Sequence, residues 1–529
     1  MNNPLIFAID LGTSGPKVAL FTAHGDLLGY EFEPTRYYLL PDGGVEQKPE
    51  EWWQAICAAS RRLLARGLAS PDQVAALCCT SQWSGTVAID RDGAPLMDAI
   101  IWLDTRGAPY IDQICGGPLA LQGYALDKLF TWIRLTGGIP ARAGKDPIAH
   151  ILYLKHARPE IYNEAFKFLE PKDYLNLRLT GVCAASYDSI TLHWVTDNRD
   201  LSRVDYSPIL LRWATLEREK LPDLRPPMSI LGTLTPQAAA DLGLPAGVQV
   251  VIGTPDIHSA ALGSGAVRDG EAHLYIGTSS WVVCHMPVKK TDVLHGITCL
   301  PSAIPGRYLV TDEQETAGAC LTFLRDNILY HKDELLSASG TADAAGVPNV
   351  YKVFDQIAER APAGSGGLIF TPWLFGERAP VDDHSVRGGL YNLSLGTTRE
   401  HMIRAVLEGV AYNTRWLFGY VEKFVGRRVE SLNMVGGGAN SNIWCQIMAD
   451  VLGRNIRQMK DPILVNVRGA ANLAAATLGY TTLEEISATA QVAHTYTPTS
   501  ENRPVYDELF KEYLQIYQRN KPIYARLNR

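Results

Sequence analysis

The segment Leu5–Gly15, which reads LIFAIDLGTSG, decides the fold of this chain. Its apolar first part predicts a buried β-strand over Leu5–Asp10, and the small residues that follow predict a tight turn. The next apolar run predicts a second strand over Lys17–Thr22, and after another turn a third strand is predicted over Leu27–Phe32. The chain therefore begins with an antiparallel meander of three strands.

The first turn of this meander has the composition of a phosphate-binding loop. Its glycines allow positive φ angles and close approach, so that backbone N–H groups and the hydroxyls of Thr13 and Ser14 can surround a phosphate. Asp10 stands beside the turn. A single hairpin of this kind is more often an ordinary turn that is capped by its own aspartate. The phosphate-binding interpretation therefore depends on a second copy.

That second copy occurs in the other half of the sequence. The segment Leu274–Val283, LYIGTSSWVV, repeats the strand, the G-T-S turn and the apolar strand, with Gly277 standing 265 positions after Gly12. Tyr275 occupies the position that Asp10 has in the first copy. The repeat predicts two related halves whose turns face each other across a cleft, with a metal-handling acid on one side only.

The junction of the two halves carries a second aspartate. A buried strand is predicted over Val248–Ile252 and a helix of small residues over Ile257–Leu262, so Asp256 lies at or just before a helix N-terminus. Helix capping is the commonest role of such an aspartate. Its place at the domain junction makes Asp256 a candidate for chemistry as well.

A glycine loop follows a strand further along the chain. The strand Leu432–Val435, the loop Gly436–Gly438 and a helix over Asn442–Gly453 form a unit that can receive part of a nucleotide. The last apolar pattern, over Pro504–Ala525, predicts a packed terminal helix.

Length and composition limit the class of protein. A chain of 529 residues is too long for one ordinary core, so we expect two large domains. A net charge of -7 without long runs of one sign indicates no surface for nucleic acid or an anionic membrane. Nine irregularly spaced cysteines and the lack of any run of 18 apolar residues favour reduced thiols and a cytoplasmic location. The sequence leaves open whether the protein forms a homodimer.

Several common nucleotide-binding motifs are missing. The sequence has no G-x-x-x-x-G-K-[ST], no G-x-G-x-x-G and no pair of H-R-D and D-F-G motifs. A nucleotide site in this chain must therefore use another architecture.

With these elements in order, the chain resembles the FGGY carbohydrate kinase family of the actin and hexokinase superfamily, and within it the xylulokinase branch. The resemblance covers most of the chain, and its matching stretches are Ile9–Gly15, Ala99–Trp102, Pro171–Leu175, Gly277–Ser279, Gly376–Arg378, Gly389–Gly409 and Gly436–Gly438. It implies an α/β fold of two ribonuclease H-like domains, 1–264 and 265–529, around a central nucleotide and sugar cleft. It also implies a kinase that uses ATP and Mg²⁺ to phosphorylate a small polyol.

The resemblance assigns roles to individual residues. Asp256 is similar to the general base between the sugar hydroxyl and the γ-phosphate, and it also lies near the metal. Asp10 is similar to the acid that holds Mg²⁺ through water, since Mg²⁺ keeps part of its hydration shell. The implied nucleotide contacts are Thr13, Ser14, Lys17, Gly277 and Thr278 at the phosphates and Gly437, Gly438 and Asn440 near adenosine.

The implied sugar pocket departs from the xylulokinase pattern. Gln82, Trp83, Trp102 and Asp104 offer the amide, the acid and the aromatic faces that hold polyols. However, Trp83 and Ser84 replace the methionine and histidine of G-Q-M-H-G.

The identity of the sugar therefore stays open. D-xylulose, converted to xylulose 5-phosphate, is the first expectation, and ribulose, erythritol, gluconate and glycerol are the alternatives. An actin-like nucleotide switch or sugar sensor is the alternative outside enzymes, although a switch has no need for the base Asp256.

Overall fold

Two mixed β-sheets, one in each half of the chain, organise the molecule. The computed structural model describes residues 4–329 and 350–528. The first sheet has the order β5-β6-β4-β1-β2-β3, with β1 Leu5–Gly12, β2 Gly15–Thr22, β3 Leu27–Phe32, β4 Val74–Ser81, β5 Ile230–Thr233 and β6 Gln249–Val251. The second sheet has the order β9-β10-β11-β8-β7-β12-β13-β14, with β7 Ala272–Ile276, β8 Ser280–Met286, β9 Thr291–Asp292, β10 Ile297–Pro301, β11 Tyr308–Thr311, β12 Ser431–Val435, β13 Asn455–Met459 and β14 Val492–Tyr496.

The two sheets share one pairing pattern. From β3 through β2, β1, β4 and β6 to β5, the successive pairs are antiparallel, antiparallel, parallel, parallel and antiparallel. The series β11, β8, β7, β12, β13 and β14 has the same succession. The predicted relation between the halves is therefore confirmed, and each predicted hairpin occupies the equivalent place in its sheet.

The first hairpin is tighter than predicted. Its strands extend to Gly12 and Gly15, which pair with each other, so the turn itself is only Thr13 and Ser14. Gly15 has a φ of +139°, and a Cβ atom there would lie 2.1 Å from the carbonyl oxygen of Glu33. Both the backbone angle and the available space therefore require glycine at this position.

Two helices cross between the halves. The helix Asp256–Ser264 packs Ala260 and Ala261 against the second sheet, whereas the helix Val465–Thr477 packs its apolar face against the first sheet. Gly469 lies at their contact, where a Cβ atom would be 1.8 Å from the carbonyl oxygen of Ser259. The small residues let the two helices approach closely, and the helix that begins with Asp256 is thereby fixed between the sheets.

Long helices cover the outer faces. Pro49–Ala65 packs on the first sheet, Arg399–Val425 and Asn442–Leu452 pack on the second, and Arg503–Leu527 packs on the outer side of these two helices. The terminal helix was predicted. Among the residues that the structure describes, the remaining α-helices are Ala108–Cys115, Leu126–Thr136, Pro147–Ala157, Pro159–Glu164, Pro171–Thr180, Pro208–Trp213, Pro236–Leu242, Gly318–Leu324, Val350–Ala358 and Leu483–Ala488. No helix within the described ranges has the length and apolar character to cross a bilayer.

Short strands complete the described chain. They are Tyr38–Leu39, Val45–Gln47, Val87–Ile89, Ala99–Ile100, Ala120–Leu121, Tyr124–Ala125, Lys167–Leu169, Ala184–Ser186, Thr196–Asp197, Asp205–Tyr206, Asp223–Arg225, Ile369–Thr371 and Gly389–Tyr391. Many of them belong to an insertion after β4, whose own apolar core includes Trp83 and Trp194.

Candidate active site

Parallel strands bring most of the predicted site residues to two facing edges. β1, β4 and β6 are parallel neighbours, so their carboxyl ends share one edge of the first sheet. The Thr13 turn follows β1, Gln82 follows β4, and Asp256 comes shortly after β6. In the second sheet, β7 and β12 are parallel and lead into Gly277 and the Gly437 loop. The carboxyl edge of parallel strands is the usual place for ligands in α/β proteins.

A cavity of about 420 Å³ lies between the two halves at these edges. This volume is in the range of small-molecule sites. Its lining comes from both halves and consists of Lys17, Tyr30, Phe32, Tyr275, Gly436, Gly437, Pro462, Ile463, Val465 and Asn466. Two of the predicted nucleotide contacts, Lys17 and Gly437, are therefore in the same cavity.

Asp10 and Lys17 form an ion pair across the first hairpin. Lys17 Nζ lies 3.2 Å from Asp10 Oδ2. Asp10 is almost fully buried, and its Oδ1 atom has no hydrogen-bond partner within the described residues. An unpartnered carboxylate oxygen is costly when buried. This free oxygen fits the predicted role of Asp10 toward a hydrated cation.

Asp256 is the first residue of its helix, and Pro255 occupies the N-cap position before it. Its Oδ1 atom accepts a hydrogen bond of 2.8 Å from the N–H group of Ile257. Burial, the carboxylate of Asp10 and, more weakly, that of Glu313 raise the pKa of Asp256 to about 8. The influence of Asp10 means that the two predicted acids belong to one electrostatic site.

Thr13 and the sugar candidates form one hydrogen-bond network. The Thr13 hydroxyl donates to Gln82 Oε1 at 2.8 Å and accepts from Trp102 Nε1 at 3.0 Å. Gln82 Nε2 in turn donates to Gln47 Oε1 at 2.6 Å. The hydroxyl of Thr13 therefore serves this network in the described conformation, whereas the expectation from sequence was a phosphate contact. Ser14, the other residue of the turn, is exposed.

Trp83 contributes an aromatic ring, but its indole N–H group already donates a hydrogen bond within the protein. The indole Nε1 donates to the carbonyl oxygen of Ser189 at 2.8 Å, and the ring packs edge-on against His258 with centroids 5.2 Å apart. The Ser84 hydroxyl donates to the carbonyl oxygen of Lys145 at 2.7 Å. The two residues that depart from the xylulokinase pattern are therefore held by buried backbone groups.

Asp104 is occupied by structural contacts. Its Oδ2 atom accepts from the N–H group of Val45 and from Arg106 Nε, each at 2.9 Å, and its Oδ1 atom accepts from the N–H group of Arg106. Only 1% of Asp104 is exposed. Because both oxygens are engaged and shielded, Asp104 positions Arg106 in the described conformation, and its sugar contact stays a prediction.

The second half presents its predicted contacts in different ways. Thr278 and Gly437 are exposed at the cleft, and Gly277 lies against the ring of Tyr275. Gly438 is packed closely, since a Cβ atom there would lie 2.4 Å from the side chain of Ile276. Asn440 is exposed, and its carbonyl oxygen accepts a hydrogen bond from Lys352.

Glu170 is a buried acid near the site that sequence analysis missed. Its Oε2 atom accepts from the N–H group of Gly85 at 2.9 Å, and its Oε1 atom has no partner within the described residues. Burial and, less strongly, the charges of Asp173 and Asp256 raise the pKa of Glu170 well above its usual value. Nothing in the local sequence distinguishes Glu170 from a surface acid before a helix, because its burial depends on the distant Gly85 loop.

A charge cluster also joins the halves beside the segment Ser81–Gly85, which we call the sugar loop, because Ser84 of that segment contacts Lys145. Lys145 Nζ lies 3.6 Å from Glu315 Oε1, and Arg378 Nε donates to the same oxygen at 3.0 Å. Arg378 also pairs with Glu313. Arg378 belongs to one of the stretches that carry the family resemblance, but its partners are far away in the sequence and were not predicted.

Family comparisons agree with this geometry. A family model described as the N-terminal domain of the FGGY family of carbohydrate kinases matches residues 5–263, and a model for the C-terminal domain matches residues 272–478. The chain belongs to the FGGY family of carbohydrate kinases. It is therefore a carbohydrate kinase, and the predicted family is confirmed. The family implies ATP as the phosphoryl donor.

FGGY relatives cover the whole chain. It is 28% identical to a xylulose kinase from Staphylococcus epidermidis, over 100% of this chain and 99% of the relative. It is also 28% identical to a gluconokinase from Bacillus subtilis, over 99% of this chain and 95% of the relative. A crystal structure of a gluconate kinase from Lactobacillus acidophilus superposes with a TM-score of 0.84, at 24% identity, over 99% of both chains. This last likeness confirms the predicted two-domain α/β fold.

Proposed function

We propose that this FGGY kinase transfers the γ-phosphoryl group of ATP to a hydroxyl of a ketopentose, with D-xylulose as the first candidate and xylulose 5-phosphate as its product. The observation that carries the proposal is Asp256, which begins the helix that lies between the two sheets and whose pKa is raised to about 8 by burial and by the charge of Asp10. A nucleotide switch needs no such base. The proposed domains are 1–264 and 265–529, and the proposed compartment is the cytoplasm, where ATP is supplied.

Asp256 has the chemistry of a general base for this reaction. In the proposed step the sugar hydroxyl oxygen forms a bond to the γ-phosphorus, the bond from that phosphorus to the bridging oxygen of ADP breaks, and the hydroxyl proton passes to Asp256. Phosphoryl transfer through a loose transition state depends mainly on positioning. The helix N-terminus and the hydrogen bond from Ile257 hold the carboxylate in place.

Asp10 supplies a binding group for the metal that this reaction requires. When bound beside Asp10, Mg²⁺ would neutralise charge on the phosphates of ATP. Few carboxylates are needed for it, because phosphate oxygens and waters complete the shell. Asp10 has one unpartnered oxygen, and Asp256 stands nearby as a second acid.

Both halves contribute to the proposed nucleotide site. Lys17 supplies a cation, the Thr13–Ser14 turn and Thr278 supply backbone donors, and Gly437 lines the cavity. On the sugar side, Gln82 offers its amide, and Trp83 and Trp102 offer aromatic rings.

The charges near the sugar loop favour an uncharged polyol over an aldonate. A carboxylate substrate needs a cation, yet Lys145 and Arg378 are already paired with Glu313 and Glu315. Gluconate remains the second candidate, because a gluconokinase is among the curated relatives.

A panel of acceptors tests the proposal. Purified protein with ATP and Mg²⁺ is assayed for ADP release with xylulose, ribulose, erythritol, gluconate and glycerol. The highest kcat/KM with xylulose supports the first candidate, and the highest value with gluconate supports the second. Silence with every acceptor contradicts the proposal and favours the sensor alternative.

A further inference from the structure

Tyr275 holds a rigid position at the proposed phosphate site. Its ring stacks on Trp281 with centroids 3.9 Å apart and an interplanar angle of 2°. The two residues face each other across the β7/β8 hairpin, and Trp281 Nε1 is fixed by a hydrogen bond of 3.0 Å to His273 Nε2. The phenol ring therefore cannot change its orientation without losing a stacking partner that is itself held in place.

The hydroxyl of Tyr275 lies beside the second glycine turn. A Cβ atom on Gly277 would lie 2.4 Å from Tyr275 Cε1 and 2.7 Å from its hydroxyl oxygen. The same side chain lines the interdomain cavity together with Lys17 and Gly437. A phosphate held by the Gly277 turn is thus within reach of the phenol.

Both site acids act on this phenol. The negative charges of Asp256 and Asp10, after burial, raise the pKa of Tyr275, so both carboxylates are near its ring. Phenols carry their proton at neutral pH, and this one is a hydrogen-bond donor. Within the described ranges, its hydroxyl has no hydrogen-bond partner.

We propose that the Tyr275 hydroxyl donates a hydrogen bond to the terminal phosphoryl group of ATP during transfer. The inference rests on the proposed nucleotide site. It gives a reason for the difference between the two hairpins, since the first presents the acid Asp10 for a cation and the second presents a donor for the anion. A fixed donor aimed at phosphoryl oxygens stabilises the charge that develops during transfer.

The test compares Tyr275→Phe with wild type in two measurements. Phenylalanine keeps the stacked ring and removes only the hydroxyl. We expect kcat to fall by about 10- to 100-fold, with KM for the polyol unchanged, as for the loss of one hydrogen bond to a charged group. By calorimetry with Mg²⁺ and no acceptor, we expect weaker binding of a nonhydrolysable ATP analogue and unchanged binding of ADP.

Tyr412→Phe is the matched control. Its hydroxyl is buried without a described partner in the core of the second half, away from the cavity, so both measurements should match wild type. A Tyr275→Phe enzyme whose kcat and analogue affinity stay within twofold of wild type overturns the inference. Equal weakening of ADP and analogue also overturns it, since the side chain would then act only by packing. A wild type without turnover on any acceptor would instead contradict the proposed function, and the calorimetric comparison would still test Tyr275.

Discussion

The ammonium group of Lys17 lies 3.2 Å from the buried carboxylate of Asp10, and the two residues occupy facing positions of the first hairpin. One oxygen of Asp10 is thus neutralised by Lys17, while the other has no partner within the described residues. Because nucleotide phosphates should attract the same lysine, we expect binding of ATP with its cation to rearrange this pair. We therefore expect loss of the Asp10 carboxylate to weaken the binding of Mg²⁺ before it affects other steps.

Asp10→Ala should raise the Mg²⁺ concentration needed for half-maximal activity and lower kcat, without unfolding the protein. Titration of initial rate against Mg²⁺ at saturating ATP and acceptor measures this. Tyr275→Phe is the comparison, because it changes the equivalent residue of the second hairpin and should leave the midpoint of the Mg²⁺ titration unchanged. An unaltered midpoint in Asp10→Ala would remove Asp10 from metal handling.

The pH dependence of kcat/KM should report Asp256. Burial and Asp10 both disfavour the ionised form and raise the pKa of Asp256 to about 8. Since a base must be ionised to accept a proton, kcat/KM should rise with pH and level off above about 8. Asp10→Asn removes a negative neighbour, so the acid limb of its profile should move to lower pH.

Asp312→Asn is the control for this profile. Burial also raises the pKa of Asp312 to about 8, but its Oδ1 atom accepts from the N–H group of Val282 and has no proposed catalytic role. Its profile should follow wild type. The prediction would be contradicted if the acid limb of the pH profile of kcat/KM moved in Asp312→Asn and stayed in place in Asp10→Asn, because another group would then control the rate.

Glu170 should behave as a neutral hydrogen-bond acceptor. Burial raises the pKa of Glu170 and so favours its protonated form, and an amide has the same shape and keeps an acceptor for Gly85. Glu170→Gln should therefore change the free energy of unfolding by less than about 0.5 kcal/mol. Glu170→Ala leaves a buried N–H group unpaired and should cost about 1 to 3 kcal/mol. Denaturant unfolding of both variants separates these results, and equal losses would mean that Glu170 is ionised in the folded protein.

Local signals were sufficient for the hairpins and the strand order around them. β3 has the predicted bounds, and Gly15 requires the left-handed backbone that its turn position indicated. The helix Val465–Thr477 was not predicted to cover the first sheet, because an apolar helix face does not indicate which sheet it will meet.

The places of the candidate site residues in the fold could be predicted where they depend on strand ends, and were missed where they depend on distant partners. Asp256 and Gln82 follow neighbouring parallel strands, which motif order alone indicates. By contrast, the carboxylate of Asp104 accepts hydrogen bonds from Arg106 and Val45, and the buried carboxyl group of Glu170 accepts one from Gly85. Local sequence does not show such hydrogen bonds, because they depend on packing between residues that are far apart in the chain.

The central claim is that Asp256 accepts the proton of the sugar hydroxyl. The most direct test is the single-turnover rate of Asp256→Asn with ATP, Mg²⁺ and the preferred acceptor, measured beside calorimetric binding of that acceptor. Asparagine at the helix N-terminus preserves the structural role, so folding and acceptor binding should be retained. The account predicts a rate at least ~10²-fold below wild type. A near-normal rate in a variant that binds the acceptor would contradict it and leave Asp256 as a structural residue of the helix start.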